Sequence, residues 1–385
     1  MTGFSFANLG LFTGFGGGLV SAIYSLVLLE ILGSATMVGL YSSVYNVAAL
    51  IIALSFGELL RVFSKSKLFY ASLVAIAAVY FMMGFGIKSQ TFIMLDFFSI
   101  IPLVLIGVLI PLFMADFAGK GGIAALNGRY VLWMNAGWLF APIIAMAIAD
   151  ITGLRSVFIL ASFTYLLALV LFRRYGIIEQ DKKIPKITPR KTLRSVWRET
   201  KAYFRNKDYA RVYMISFGNF ALRTLRSLYV PIAIIEAGFT KDILGLVLTI
   251  GIIPYIIFSE PIGRLAKKYG KAATKSGMAF GFIVYSICSF LLFFASGWTM
   301  LLLFVLWHIP AAVQEPLNDP SFFNAAKAGD QARFFGIFNT SKKLPRIFAP
   351  LVAAGFIAAF QATGAVWLLA GIIGVLSATL LLGKK

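Results

Sequence analysis

Gly263-Arg-Leu-Ala-Lys-Lys-Tyr-Gly-Lys271 lies between two long apolar runs and is crowded with cations. A short cytoplasmic loop joining two membrane helices has this character. A degenerate copy, Gly57-Glu-Leu-Leu-Arg-Val-Phe-Ser-Lys65, stands 206 positions earlier. Gly57 aligns with Gly263, Leu59 with Leu265, Phe63 with Tyr269 and Lys65 with Lys271. A second alignment has nearly the same offset: Phe140-Ala-Pro142 matches Phe348-Ala-Pro350, and Gly128 matches Gly336, 208 positions on. Two independent matches half a chain apart predict a protein built twice from one unit.

Composition fixes the environment of that unit. Of 385 residues, 60% are hydrophobic and 13% charged, against about 25% charged in soluble domains. The apolar residues come in runs near the ~20 residues that carry an α-helix across about 30 Å of hydrocarbon. An all-α integral membrane protein follows. We expect twelve transmembrane helices near 8–31, 37–60, 68–88, 92–115, 128–149, 154–173, 211–236, 243–262, 274–296, 299–320, 333–360 and 363–382. They form two six-helix bundles, 1–173 and 211–385, joined by a basic linker, 174–210. The N-terminus has no basic segment ahead of its first apolar run, so that run reads as a membrane helix and not a cleaved signal.

The net charge of +20 is placed in alternate loops. Lysine and arginine fill the loops after spans two, four, six, eight and ten and the C-terminus. The opposite loops carry only Lys88, Arg155 and Lys241. Both termini are therefore expected in the cytoplasm, with the protein multi-pass in the cytoplasmic membrane. No basic, aromatic-interleaved soluble domain exists to bind nucleic acid. The single cysteine, Cys288, excludes an internal disulfide, and one histidine leaves no histidine-cluster metal site. No cofactor is implied, and a monomer is expected. In the linker, Leu193, Val196, Trp197, Tyr203 and Phe204 form a helical stripe beside Arg194, Arg198, Lys201 and Arg205, which reads as an amphipathic helix on membrane lipids of the anionic inner leaflet.

Twelve spans, a six-plus-six repeat, a basic central loop and the paired loop motifs resemble the major facilitator superfamily over the whole chain. The family pattern is roughly G-x-L-A-D-R-x-G-R-R, and Gly263, Leu265, Ala266, Lys268, Tyr269, Gly270 and Lys271 fit it. The resemblance implies alternating access of the two bundles, with Gly57, Glu58, Arg61, Gly263, Arg264, Lys267 and Gly270 as the gating-loop positions. Arg61 and Lys267 stand where the family usually has Asp, and a cation cannot accept the hydrogen bonds that carboxylate accepts. Glu58 and Glu260 are the nearby acids. Drug-export branches often carry a G-P-x-x-G-G run in span five; here Gly137-Trp-Leu-Phe-Ala-Pro142-Ile-Ile-Ala145 lacks most of those glycines.

Ionisable residues inside spans cost about 2.5–3.5 kcal/mol each on insertion scales, so they face a cavity or a partner. Span seven carries Ser216, Asn219, Arg223, Arg226 and Ser227 on one helical face. Span ten carries His308, Glu315 and Asp319. The resemblance implies that spans one, four, seven and ten line the cavity. Three readings stay open. Arg223, Arg226, Asn219 and His308 bind an anionic group of a substrate, since guanidinium matches carboxylate or phosphate. Glu315, His308 or Asp96 takes up a coupling proton. Or an Arg–Glu pair merely ties two helices. His308 and Arg223 should lie at similar depth, with Glu315 about 10 Å nearer the cytoplasm. Glu30, Asp96 and Asp150 fall near outer span ends, where interfacial water would solvate them. Lys342, Lys343 and Arg346 form a cationic cluster that holds lipid phosphates or closes the inner gate.

The expected function is secondary active transport of a small organic solute, with protons as the coupling ion. The alternatives are a proton-driven efflux antiporter and a non-transporting sensor or scaffold on the same fold. No nucleotide-binding loop and no hydrolase or metalloprotease motif is present, so an enzyme is not expected.

Overall fold

The structure is a computed structural model that describes residues 3–85, 88–117, 119–174 and 193–383. Among these residues there is no strand. The helices are α1 (Gly3–Leu32), α2 (Ala35–Val62), α3 (Lys65–Met83), α4 (Ser89–Phe117), α5 (Gly119–Thr152), α6 (Val157–Arg174), α7 (Leu193–Arg205), α8 (Lys207–Glu236), α9 (Lys241–Phe294), α10 (Gly297–Leu306), α11 (His308–Ala325), α12 (Ala328–Lys343), α13 (Pro345–Phe360) and α14 (Ala365–Leu382). Eleven segments of the described residues are long and apolar enough to cross a membrane. The twelfth by length is α8, 30 residues long, whose polar stripe keeps it out of the apolar set. The chain is a multi-pass membrane protein.

Contacts group the chain into two units. The first comprises Met1–Gly33, Val44–Lys183 and Phe239–Thr249; the second comprises Ser34–Ser43, Ile184–Gly238 and Ile250–Lys385.

In the first unit α1 packs on α5 and α6, and α3 on α4 and α6. The glycine-rich first span is a packing face. A Cβ at Gly10 would lie 2.7 Å from the Tyr130 carbonyl oxygen, one at Gly14 would collide with the Met134 carbonyl, and one at Gly18 would lie 2.6 Å from the Ala141 Cβ. Opposite them, a Cβ at Gly137 would collide with the Leu11 carbonyl. Steps of four keep Gly10, Gly14 and Gly18 on one face, and the two backbones touch along it. In lipid this close van der Waals contact is what drives helices together. Elsewhere the unit is filled by rings: Phe69, Phe113 and Phe172 lie within 5.6 Å of one another, centroid to centroid. The start of α9 belongs to this unit, where Gly245 meets Met146 and Ile143 of α5.

In the second unit α8 packs against α11, α12, α13 and α14. Trp307 sits edge-on to both Tyr285 and Trp367, 5.4 Å from each, and the Gln314 amide donates to the Met278 carbonyl at 3.0 Å. The start of α2 belongs here: a Cβ at Gly39 would lie 2.8 Å from the Pro350 carbonyl oxygen of α13, and closer still to the Tyr229 hydroxyl. Gly39 and Gly245 are separated by the same offset as Gly57 and Gly263. Each unit thus contains one such glycine seated on a proline-bearing helix, since α5 holds Pro142 and α13 holds Pro350.

Two local expectations are corrected. The stretch from Gly263 is not a loop: helix continues to Tyr269, and the chain turns at Gly270 (φ 56°, ψ −129°). That backbone region excludes a side chain, so glycine is the residue the corner requires. The copy at Gly57 is likewise helical, the end of α2. Spans ten and eleven run on as Gly297–Ala325 and Arg333–Phe360. Trp307 and Leu344 keep helical dihedrals, and Pro310 and Pro345 each only remove one backbone hydrogen bond, because proline has no N–H to donate. The linker stripe does not face one way. Tyr203 is fully buried in the second unit, whereas Trp197 is 72% exposed. Residues 175–192 of the linker lie outside the described residues.

Candidate functional site

The two polar stripes meet inside the second unit. Arg223 of α8 donates to Glu315 of α11 at 2.7 Å, with 21% of the arginine side chain and 47% of the glutamate exposed. The two side chains are in direct contact, closer than the offset in depth expected from helix rise alone. One turn along, Lys342 of α12 pairs with Asp319 of α11 at 2.5 Å. The Lys342 ammonium also lies over Phe335 and Phe338, 5.8 and 5.6 Å from their centroids. Lys342 is therefore committed to a protein carboxylate.

Arg226 has a different neighbourhood. Its Nη1 donates to the Tyr255 hydroxyl at 2.7 Å. Its guanidinium lies 5.6 Å from the Tyr255 ring, and that of Arg223 lies 5.9 Å from the same ring and 5.4 Å from Phe220. Arg346 of α13 lies within electrostatic range of Arg223. Among the described residues neither Arg226 nor Arg346 has a carboxylate partner. The local balance is four cations, Arg223, Arg226, Lys342 and Arg346, against two carboxylates, Glu315 and Asp319.

Unsatisfied polar atoms accompany this surplus. The Tyr285 hydroxyl is buried without a hydrogen-bond partner and lies within electrostatic range of Arg226, Arg223 and Glu315. Asn219, one turn before Arg223, is 1% exposed, and both its amide atoms lack partners. A buried polar group without a partner costs about 1–3 kcal/mol, and two such residues stand close to the arginines.

The remaining candidates are placed as follows. His308 is 5% exposed, with Nδ1 2.8 Å from the Phe304 carbonyl. Its ring lies against Gly251, where an added Cβ would come within 2.5 Å of Nε2. The imidazole thus fills a slot between α9 and α11. Ser216 is bonded to Ser341 at 2.8 Å. In the first unit, Asp96 of α4 is 2% exposed and accepts from the Tyr24 hydroxyl at 2.7 Å. Ser99 follows it, 3.3 Å from the Tyr45 hydroxyl. Interfacial water does not account for a carboxyl so enclosed, so Asp96 differs from Glu30, which pairs with Arg155 at 3.3 Å. In the gating-loop motif, Arg264 pairs with Glu260 along its own helix at 2.5 Å. The side chains of Glu58, Arg61 and Lys267 lie outside the described residues.

Sequence reasoning missed Tyr255, Tyr285 and Arg346 as members of this cluster. A tyrosine within an apolar span carries a hydroxyl that needs a partner, and that signal was available. Among the described residues no group of three or more histidine, cysteine, aspartate or glutamate side chains could hold a metal. An open apolar groove of about 610 Å³ between α9 and α14, lined by Ile283, Ile287, Phe290, Val375 and Leu382 among others, shares no residue with the charged cluster.

Known proteins of similar structure are membrane transporters. A POT family transporter in complex with a thioalcohol-conjugated peptide superposes with a TM-score of 0.77 at 13% identity, over 98% of this chain and 94% of that one. A POT family transporter in complex with 5-aminolevulinic acid gives 0.76 at 12%, over 98% and 94%. The nucleoside transporter NupG gives 0.77 at 14%, over all of both chains. At these identities the likeness shows the fold alone. No curated protein matches the sequence. The sequence profile described as Major Facilitator Superfamily matches residues 6–232 and 212–385. With twelve membrane-length helices, no strand among the described residues and a profile match along nearly the whole chain, this protein belongs to the Major Facilitator Superfamily and is a transport protein, not an enzyme.

Proposed function

We propose that the chain is a proton-coupled secondary transporter of a small anionic organic solute, with Arg226 and Arg346 receiving the acidic group. The observation that carries this is the surplus of two guanidinium groups around the Arg223–Glu315 pair, with the unpaired Tyr285 hydroxyl in range of Arg226. A carboxylate or phosphate would supply the missing counter-charge, and guanidinium binds such groups through parallel hydrogen bonds. That a transporter of the same fold was solved with 5-aminolevulinic acid, a small carboxylic acid, supports the class of solute. Glu315 is the first candidate for the coupling proton. It is half exposed, and a proton there would release Arg223 for the solute. Asp96 is the second candidate. The lysine and arginine distribution supports cytoplasmic termini.

The test is a thermal-shift screen of small carboxylates and phosphate esters on purified protein and on Arg226→Ala. A stabilising acid whose effect disappears in the variant supports the reading. Stabilisation only by neutral or cationic compounds, or an acid effect unchanged in Arg226→Ala, overturns it. Uptake of the acid so found into proteoliposomes, with and without a pH gradient, separates proton coupling from simple facilitation. Binding without gradient-dependent uptake would favour a sensor on the same fold.

A further inference from the structure

We propose that α7 is a two-sided anchor that fastens the foot of α8 to a surface of anionic phospholipid. Its inner side is built into the protein. Tyr203 is fully buried in an aromatic cluster with Tyr209, Tyr213, Phe322, Phe334 and Phe338, with ring centroids 5.5 Å from Tyr209 and 5.6 Å from Phe334. Polar bonds fix the same corner: the Tyr209 hydroxyl donates to Asp330 at 2.7 Å and accepts from the Lys327 amide at 3.2 Å. One residue, Asn206, separates α7 from α8. Its side chain accepts from the Asp208 and Tyr209 amides and so caps α8 directly at the end of α7.

The outer side has the make-up of an interfacial helix. Trp197 and Phe204 are 72% and 41% exposed, and Arg198, Lys201 and Arg205 are exposed with them. At about 100° per residue, these five fall within an arc of about 120°, and Tyr203 lies about 160° from its centre. Trp197 and three cations turned away from the protein, beside a Phe204 ring whose inner side rests on Tyr213 at 4.9 Å and whose outer side is exposed, match a headgroup layer. Rings sit at the level of the glycerol backbone, and lysine and arginine reach the phosphates. Water alone would not favour an exposed tryptophan, and a neutral surface would leave the cations without counter-charge. Each cation near an anionic leaflet strengthens attachment roughly fivefold. The anchor bears on transport through α8, which carries Arg223 and Arg226 about four to five turns further on.

The experiment uses the full chain in nanodiscs of three parts phosphatidylcholine to one part phosphatidylglycerol. A trace of one of the two lipids is brominated, and the Trp197 contribution is isolated by subtracting the Trp197→Phe protein. Brominated phosphatidylglycerol is expected to quench Trp197 several-fold more than brominated phosphatidylcholine at equal mole fraction. That preference should fall to near one in Arg198→Gln/Lys201→Gln/Arg205→Gln, which leaves Tyr203 and the docked side intact, and should weaken as salt is raised. Equal quenching by both lipids in the unaltered protein overturns the anionic partner. Quenching by aqueous iodide and by neither lipid overturns the anchor itself, as would a phosphatidylglycerol preference that survives the triple substitution.

Discussion

Arg223 and Arg226 are three positions apart on one helix and have opposite situations. Arg223 has an acid at 2.7 Å; Arg226 has a phenol. Substituting Arg226 should therefore act on ligand binding more than on folding. In Arg226→Ala the thermal shift given by an acidic ligand should vanish, and in Arg226→Lys part of it should remain, because lysine keeps the charge but not the planar fork. Glu315→Gln is expected to move the melting temperature little. A pair with one half-exposed partner contributes about 0–1 kcal/mol. Its effect should appear instead as uptake that no longer responds to a pH gradient. Gradient-driven uptake unchanged in Glu315→Gln would shift the coupling role to Asp96, for which Asp96→Asn is the matching variant. Both stripes were legible in the sequence, because charges inside apolar runs are conspicuous and a step of three or four fixes their face. Tyr255, Tyr285 and Arg346 were not assembled with them. Their helices meet α8 only through the fold, and no local pattern encodes that meeting.

At the scale of the element, α1 and α5 give the sharpest contrast. Gly14 has the Met134 backbone against it, while the nearest atom to a Cβ at Gly17 is 3.8 Å away. Gly14→Ala should destabilise the protein by about 1–3 kcal/mol through overpacking, whereas Gly17→Ala should be neutral or gain a few tenths through helix propensity. Thermal inactivation of the two variants in detergent, measured side by side, checks this; equal loss in both would mean that the crossing is looser than the backbone contacts imply. Helix existence was readable from apolar runs of span length. Helix ends were less so. The cationic stretch at Gly263 has the composition of a loop, yet its backbone stays helical until Gly270, since lysine, arginine and leucine are good helix formers and only glycine admits the turn.

For the whole molecule, the all-helical character and the approximate number of spans came through from sequence because hydropathy reports them directly. The grouping of residues into units did not, since the first turns of α2 and α9 are assigned by packing at Gly39 and Gly245. Membrane orientation is testable at this scale. In a Cys288→Ser background, Thr152→Cys should react with an impermeant maleimide on intact cells, and Lys201→Cys only after permeabilisation. The reverse pattern would invert the topology drawn from lysine and arginine.

The backbone-to-backbone seam between α1 and α5 has a mechanical corollary. Where main chains touch, no rotamer can absorb a displacement, so the two helices behave as one strut. Spin labels placed across that seam should report a single narrow distance that stays put when a solute is added. Whatever motion accompanies a transport cycle must then be taken up by other segments, and α4, which carries Pro102 and Pro111 within its helix, is the natural place in the first unit to look for it.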